Sequence, residues 1–284
     1  MSSKRILLKI FLYGVAVYAV FGFTVLLFQK QLTYHPRPLA AGRQTALSSY
    51  NWLREVRFES SDGTKLHGVW AAPPEDGVVV ILSHGNSGNL SGRIPLVEKL
   101  RDLGLGVFLY DYRGFGASEG EPDEQGLYRD SEAAWEWVRS KGGIEPEKVV
   151  SYGRSLGAAV ALHLALTRDV AGVVLEAPFT SIRDMAGEVI PFFPAGPFLR
   201  ESYDNLEAVR ALTHPVLIIV GEEDTVVPPW MGKTLFEAAS EPKRLLLIPG
   251  GGHTDAPWVA AEAYTRTVSE FVQSLGAGGL LYEK

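Results

Sequence analysis

Six short apolar runs constrain the fold of this 284-residue chain more than any other feature: 78–83 (VVVILS), 106–112 (GVFLYDY), 148–153 (KVVSYG), 171–177 (AGVVLEA), 215–221 (PVLIIVG) and 244–250 (RLLLIPG). Runs of this kind, rich in Val, Ile and Leu, read as strands covered on both faces, because a half-exposed strand would alternate polar and apolar residues. Segments of helical periodicity follow at 92–104, 124–143, 156–168, 229–240 and 258–275. The alternation predicts an α/β chain with a mostly parallel sheet flanked by helices. Ahead of it, 54–58 and 66–70 flank SSDGTK, where Asp62-Gly63 signals a hairpin that adds antiparallel strands at one edge. On such sheets functional side chains collect in the loops at the carboxyl ends of the strands.

The N-terminus follows a different rule. Ile10 to Phe28 contains no charge, and apolar character reaches back to Ile6 around Lys9 alone. About 20 apolar residues span a bilayer as a helix. The run is longer than the apolar region of a signal peptide, and it ends in Leu26-Leu27-Phe28-Gln29-Lys30 with no Ala-x-Ala pattern. A retained single-pass membrane anchor over residues 6–28 is therefore expected. Lys4, Arg5 and Lys9 lie closer to the span than Lys30, Arg37 and Arg43 do, which points to a cytoplasmic N-terminus and an extracytoplasmic domain. The net charge of −6 argues against a nucleic-acid partner. The chain has no cysteine, which removes disulfides, thiolate metal sites and cysteine nucleophiles from consideration.

The chemistry is concentrated at Gly153-Arg154-Ser155-Leu156-Gly157, between a predicted strand and a predicted helix. A Gly-x-Ser-x-Gly turn in that position holds its serine on a strained backbone, clear of the sheet, with the positive end of a helix beneath it. The tight turn requires small residues two before and two after. A serine hydroxyl needs a base to take its proton, and the expected chain order is Ser, then Asp or Glu, then His. After 215–221 comes Glu222-Glu223-Asp224, and after 244–250 comes Gly251-Gly252-His253. Ser155 is thus the expected nucleophile, His253 the base and Asp224 the group that orients it. The expected oxyanion donors are the backbone N–H groups of Leu156 and of Asn86, in the loop after the first parallel strand. Glu222 and Glu223 compete with Asp224 but read as solvated loop charges. Asp224, His253 and Asp255 could form a metal site, but the triad already explains the first two, and no paired-ligand spacing supports one.

These motifs, His84-Gly85-Asn86, 110–120 (YDYRGFGASEG), 152–157 (YGRSLG), 221–228 (GEEDTVVP) and Gly250 to His253, resemble the alpha/beta-hydrolase family in order and spacing. With the N-terminal span and 126–138 (GLYRDSEAAWEWV), the chain is similar to the membrane-anchored members that include depalmitoylases and related esterases. The resemblance implies a Ser-His-Asp esterase or thioesterase mechanism without a cofactor. It divides the chain into an anchor (1–30), a linker (31–53), a hydrolase domain (54–276) with a short cap at about 179–213, and a tail (277–284). The cap sequence suggests a substrate pocket walled by Phe179, Phe192 and Phe193, suited to a small-molecule or lipid-linked acyl substrate. A peptidase on the same fold and a non-catalytic membrane-anchored binding protein are the competing readings. The first would need a gating insert that the sequence lacks, and the second should have lost part of the triad.

Overall fold

A computed structural model describes residues 3–40, 42, 47, 49–74, 77–193 and 195–276; the expected tail, 277–284, lies outside them. Eight strands form one sheet. The first two, β2 (Leu53–Glu59) and β3 (Lys65–Ala71), make the antiparallel hairpin, with Phe58 facing Leu66 and Gly63 in the left-handed conformation (φ 87°) that the turn requires. Next come β4 (Val79–Ser83), β6 (Gly106–Asp111), β7 (Val149–Arg154), β8 (Gly172–Glu176), β9 (Val216–Gly221) and β10 (Lys243–Ile248). The spatial order is β10-β9-β8-β7-β4-β6-β3-β2, and all pairs are parallel except those made by β3. This is the expected α/β architecture, with the antiparallel strands at one edge.

The central strands are buried on both faces because helices cover both. One side is closed by the helices at Ile94–Asp102 and Ala261–Gly276, the other by those at Glu124–Ser140, Leu156–Thr167 and Pro229–Ala238. Two apolar cores result. One holds Ile81, Phe108, Tyr110 and Ile218, and the other Leu82, Leu109, Tyr152 and Phe271. Adjacent residues such as Ile81 and Leu82 belong to opposite cores, as the period of two in a strand dictates.

The N-terminal helix α1 (Ser3–Leu27) is long and apolar enough to cross a membrane, and most of it stands exposed. The stretch read as a linker does more than connect. A short helix α2 (Gln29–Thr33) follows at once, and strand β1 (His35–Pro36) pairs with β5 (Ser87–Gly88) in the loop after β4. The Gln29 side chain accepts a hydrogen bond from the Arg200 backbone N–H (2.8 Å). The domain therefore holds the chain already two residues after α1 ends.

Candidate active site

Ser155 sits at the junction of β7 and the helix Leu156–Thr167 with φ 54° and ψ −119°. A non-glycine residue there is strained, and the neighbours show why the strain is tolerated. A Cβ on Gly153 would stand 2.0 Å from the Gly157 carbonyl oxygen, and one on Gly157 would stand 2.0 Å from the Ser83 carbonyl oxygen. The turn thus fits only with glycine at both positions, as the sequence spacing implies. Ser155 N–H donates to the Glu176 carbonyl (2.9 Å), so the elbow is tied to the next strand. Leu156 opens the helix, and its N–H, like any in a first turn, has no intrahelical acceptor.

Asp224 lies in the loop after β9 and is nearly buried. Its Oδ1 accepts the N–H groups of Val226 (2.8 Å) and Val227 (2.9 Å), and its Oδ2 lies 2.7 Å from His253 Nδ1. That contact sets a tautomer with the proton on Nδ1 and leaves Nε2 as the basic nitrogen. Glu222 pairs instead with Lys233 (3.6 Å) near the surface, and Glu223 is exposed. Among the described residues Ser155 Oγ has no hydrogen-bond partner, and neither does His253 Nε2; such contacts are often long in unliganded sites and tighten when substrate arrives.

A residue outside the triad links the two loops: Arg154, immediately before the nucleophile. It is buried, and its acid is Glu176, also buried and its register partner at the end of β8. Arg154 Nη2 donates to Glu176 Oε1 (3.0 Å), while Nε approaches Oε2 at 2.8 Å off the hydrogen-bond direction. Burial opposes its charge, yet Glu176 more than offsets this and raises the Arg154 pKa. The same Nη2 donates to the carbonyl of Thr254. Thr254 follows His253 and has φ 59°, costly for a β-branched residue. The residue before Ser155 thus anchors the residue after His253.

The loop after β4 is braced from below. His84 and Asp111 are fully buried, with Nε2 and Oδ1 3.3 Å apart, and Asp111 Oδ1 accepts the Leu90 N–H (2.7 Å). Burial works against the Asp111 charge, but the imidazoles of His67 and His84 and the Leu90 amide hold its carboxyl below the usual range. Tyr112 Oη donates to the His84 carbonyl (2.8 Å). Arg113 is committed to Asp130 (2.7 Å) and Asp62 (2.8 Å), so the charged group beside 114–118 (GFGAS) serves the loop. Among the described residues no group of three His, Cys, Asp or Glu side chains could hold a metal ion.

Ser155, Leu156, Asn86 and Phe179 line one cavity of about 440 Å³. Its walls are mostly apolar, and no described residue in them is charged. Here the expected pocket needs correction. Phe179 belongs to it, but Phe192 is 90% exposed, and Phe193 packs on α1, with its ring centroid 5.5 Å from that of Tyr18 and 6.0 Å from that of Phe21. The turn at 191–193 leaves both rings outside the cavity lining. The cap wall is supplied instead by Ile182, Met185 and Val189 of the helix at Ile182–Val189. Phe21, Val25, Gln29, Leu32 and Thr33, from the N-terminal helices, also line the cavity. The uncharged, hydrogen-bonding Gln29 at the end of an apolar run was the available signal that this end docks on protein.

The family model described as serine aminopeptidase, S33, matches residues 74–208. An uncharacterized protein of Mycobacterium tuberculosis is 39% identical over 85% of this chain and 87% of its own length. The alpha/beta hydrolase domain-containing protein WAV2 of Arabidopsis thaliana is 32% identical over 92% of this chain and 93% of its own. Human alpha/beta hydrolase domain-containing protein 17B is 36% identical over 64% and 62%. Among solved structures, an esterase of Pyrococcus furiosus superposes with a TM-score of 0.70 at 21% identity, over 85% of this chain and 98% of the esterase, a likeness of fold.

Proposed function

Since the chain belongs to the alpha/beta-hydrolase family, we propose that it is a membrane-anchored serine hydrolase that cleaves carboxylic esters or thioesters of apolar acyl chains. In this reading Ser155 is the nucleophile, His253 its base and Asp224 the carboxylate that orients the imidazole. The observation that carries it is the strained Ser155 elbow opening on an uncharged, apolar cavity, with His253 Nδ1 held 2.7 Å from Asp224.

In this reading the steps are those of acyl transfer through a serine. His253 Nε2 takes the Ser155 hydroxyl proton as Oγ adds to the acyl carbon, forming a tetrahedral oxyanion. The N–H groups of Leu156 and Asn86 receive that charge; one such donor contributes about 3–4 kcal/mol of transition-state stabilisation. His253 then protonates the departing alcohol or thiol. A water, deprotonated by the same nitrogen, releases the acid from the acyl-enzyme. Asp224 stays ionised throughout and stabilises the imidazolium. Burying each additional methylene in the cavity is worth about 0.8 kcal/mol, so kcat/KM rises with acyl length until the cavity is full.

The span 6–28 serves in this reading as a retained anchor, and its flanking charges favour an extracytoplasmic domain. Carbonate-washed membranes should retain the intact chain, and protease protection should report its side.

The description of the matching family model favours a second reading, an aminopeptidase. Such an enzyme must hold a free α-amino group near the serine, which calls for a carboxylate. The cavity walls contain none among the described residues, so the ester reading stands first. A panel of acyl esters, acyl thioesters and peptide amides tests it. Turnover of medium-chain esters or thioesters well above that of amino-terminal peptides is expected, and the reverse order would replace it with the peptidase.

A further inference from the structure

The anchor helix and the cavity share residues, and that sharing has a geometric consequence. Phe21 and Val25 of α1, with Leu32 and Thr33 beyond it, line the same cavity as Ser155 and the cap helix. The contact continues up α1: the Tyr18 hydroxyl donates to the Phe192 carbonyl (2.8 Å), and Gly22 lies so close to the Phe193 ring that a Cβ there would stand 2.2 Å from it. At the lower end Asn86 Nδ2 donates to the Thr33 carbonyl (2.8 Å), and its carbonyl accepts the His35 N–H (2.8 Å). The N-terminal segment is thus held to the cap through α1 and to the loop after β4 through Thr33 and His35.

The depth of the span then fixes the depth of the cap. With Phe28 at the membrane surface, Phe21 lies about 10 Å along the axis into the leaflet at 1.5 Å per residue. Residues 3–18 alone extend only about 22 Å, short of a hydrocarbon core of about 30 Å. The turns that touch the cap must therefore lie in lipid, and the cap tip with them. The tip is built for that: Phe192 (90% exposed) and Phe198 (59%) stand open, with Val189 (73%) exposed at the rim of the cavity it lines. The Tyr18 hydroxyl, which would be costly unpaired in hydrocarbon, is satisfied by the cap backbone.

We infer that α1 is one wall of the acyl site and that the cap tip enters the leaflet beside it, so that the acyl chain of a membrane-resident ester or thioester reaches Ser155 from the lipid side. The inference rests on the hydrolase and anchor readings above and adds an entry route and specificity-determining residues to them. Interfacial amphipathic helices bury their apolar faces about 5–10 Å into the headgroup–acyl boundary, a depth comparable to the one that α1 imposes on the cap.

Two measurements on the full-length chain test it. Reconstituted in phosphatidylcholine vesicles, the Val25→Trp variant should lower the ratio of octanoyl to acetyl ester kcat/KM at least tenfold, because an indole at that position fills the groove. Leu12→Trp, on the exposed part of α1, should leave the ratio unchanged. An unchanged ratio in Val25→Trp would overturn the wall assignment while leaving the hydrolase reading intact; loss of all hydrolysis in Ser155→Ala belongs to that reading alone. The chain has no cysteine, so a nitroxide on Phe192→Cys is uniquely placed. Its relaxation should be enhanced by oxygen in the manner of a site below the headgroups, whereas one on Glu262→Cys should respond to a water-soluble nickel chelate. A water-exposed response at position 192 would overturn insertion of the cap, and this measurement stands even if the tryptophan variant fails to fold.

Discussion

Replacing Arg154 by Met probes the connection between the nucleophile and histidine loops. The substitution keeps an unbranched apolar stem of similar reach but removes the only cation contacting Glu176 among the described residues. Glu176 is 1% exposed, so its carboxylate would be left buried with only the Tyr152 hydroxyl (2.7 Å) as a donor. Breaking a buried pair in this way costs about 3–5 kcal/mol. At roughly 2–4 °C per kcal/mol for a domain of this size, Tm should fall by about 6–20 °C. Replacing both partners, as Arg154→Met with Glu176→Leu, removes the stranded charge, and most of the lost stability should return. Catalysis should not return with it, because the Thr254 carbonyl has still lost its donor and the strained loop beside His253 is released. Urea unfolding of the solubilised chain, with ester turnover on the same samples, separates the two effects. A single variant costing under about 1 kcal/mol, or a double variant with wild-type kcat, would refute the reasoning.

Gly157→Ala would drive a Cβ to 2.0 Å from the Ser83 carbonyl oxygen; a loss of about 1–3 kcal/mol is expected from such overpacking, with ester turnover falling as the loop carrying Asn86 is displaced. Asp224→Asn should cut kcat by up to about 10⁴-fold by favouring the wrong imidazole tautomer, whereas Glu223→Gln, on the exposed part of the same loop, should leave kcat near wild type. The Arg113 and Thr64 hydrogen bonds hold the Asp62 carboxyl below its usual pKa. The stability it contributes is therefore fully present above about pH 4 and lost as acid takes the pH down through the depressed value, so the gap between wild type and Asp62→Asn in acid-unfolding curves should narrow over that range.

The parts of the molecule that follow local rules were legible in the sequence. The strands could be read from continuous apolar runs, and the elbow from two glycines whose absent Cβ atoms the backbone requires. The placement of Asp224 and His253 in loops after successive strands could be read from their order, and the structure brings the two side chains together. What escaped depends on which faces meet. Phe192 and Phe193 sit among prolines on a turn, and nothing local distinguishes a ring that lines a cavity from one that caps a helix. Arg154 and Glu176 were each visible at a strand end, but their pairing needs the β7–β8 register, which only the assembled sheet supplies. Likewise the apolar run 10–28 carried its length and composition openly, while its docking on the cap is a property of two distant segments.

The assignment of Ser155 as nucleophile is tested most directly by active-site labelling. Membranes containing the full-length chain are treated with a fluorophosphonate, and the modified peptide is sequenced by mass spectrometry. A single adduct on Ser155 is expected, abolished by Ser155→Ala and strongly slowed by His253→Ala, with ester hydrolysis lost in parallel. An adduct on a different serine, or undiminished labelling and hydrolysis by Ser155→Ala, would contradict the account.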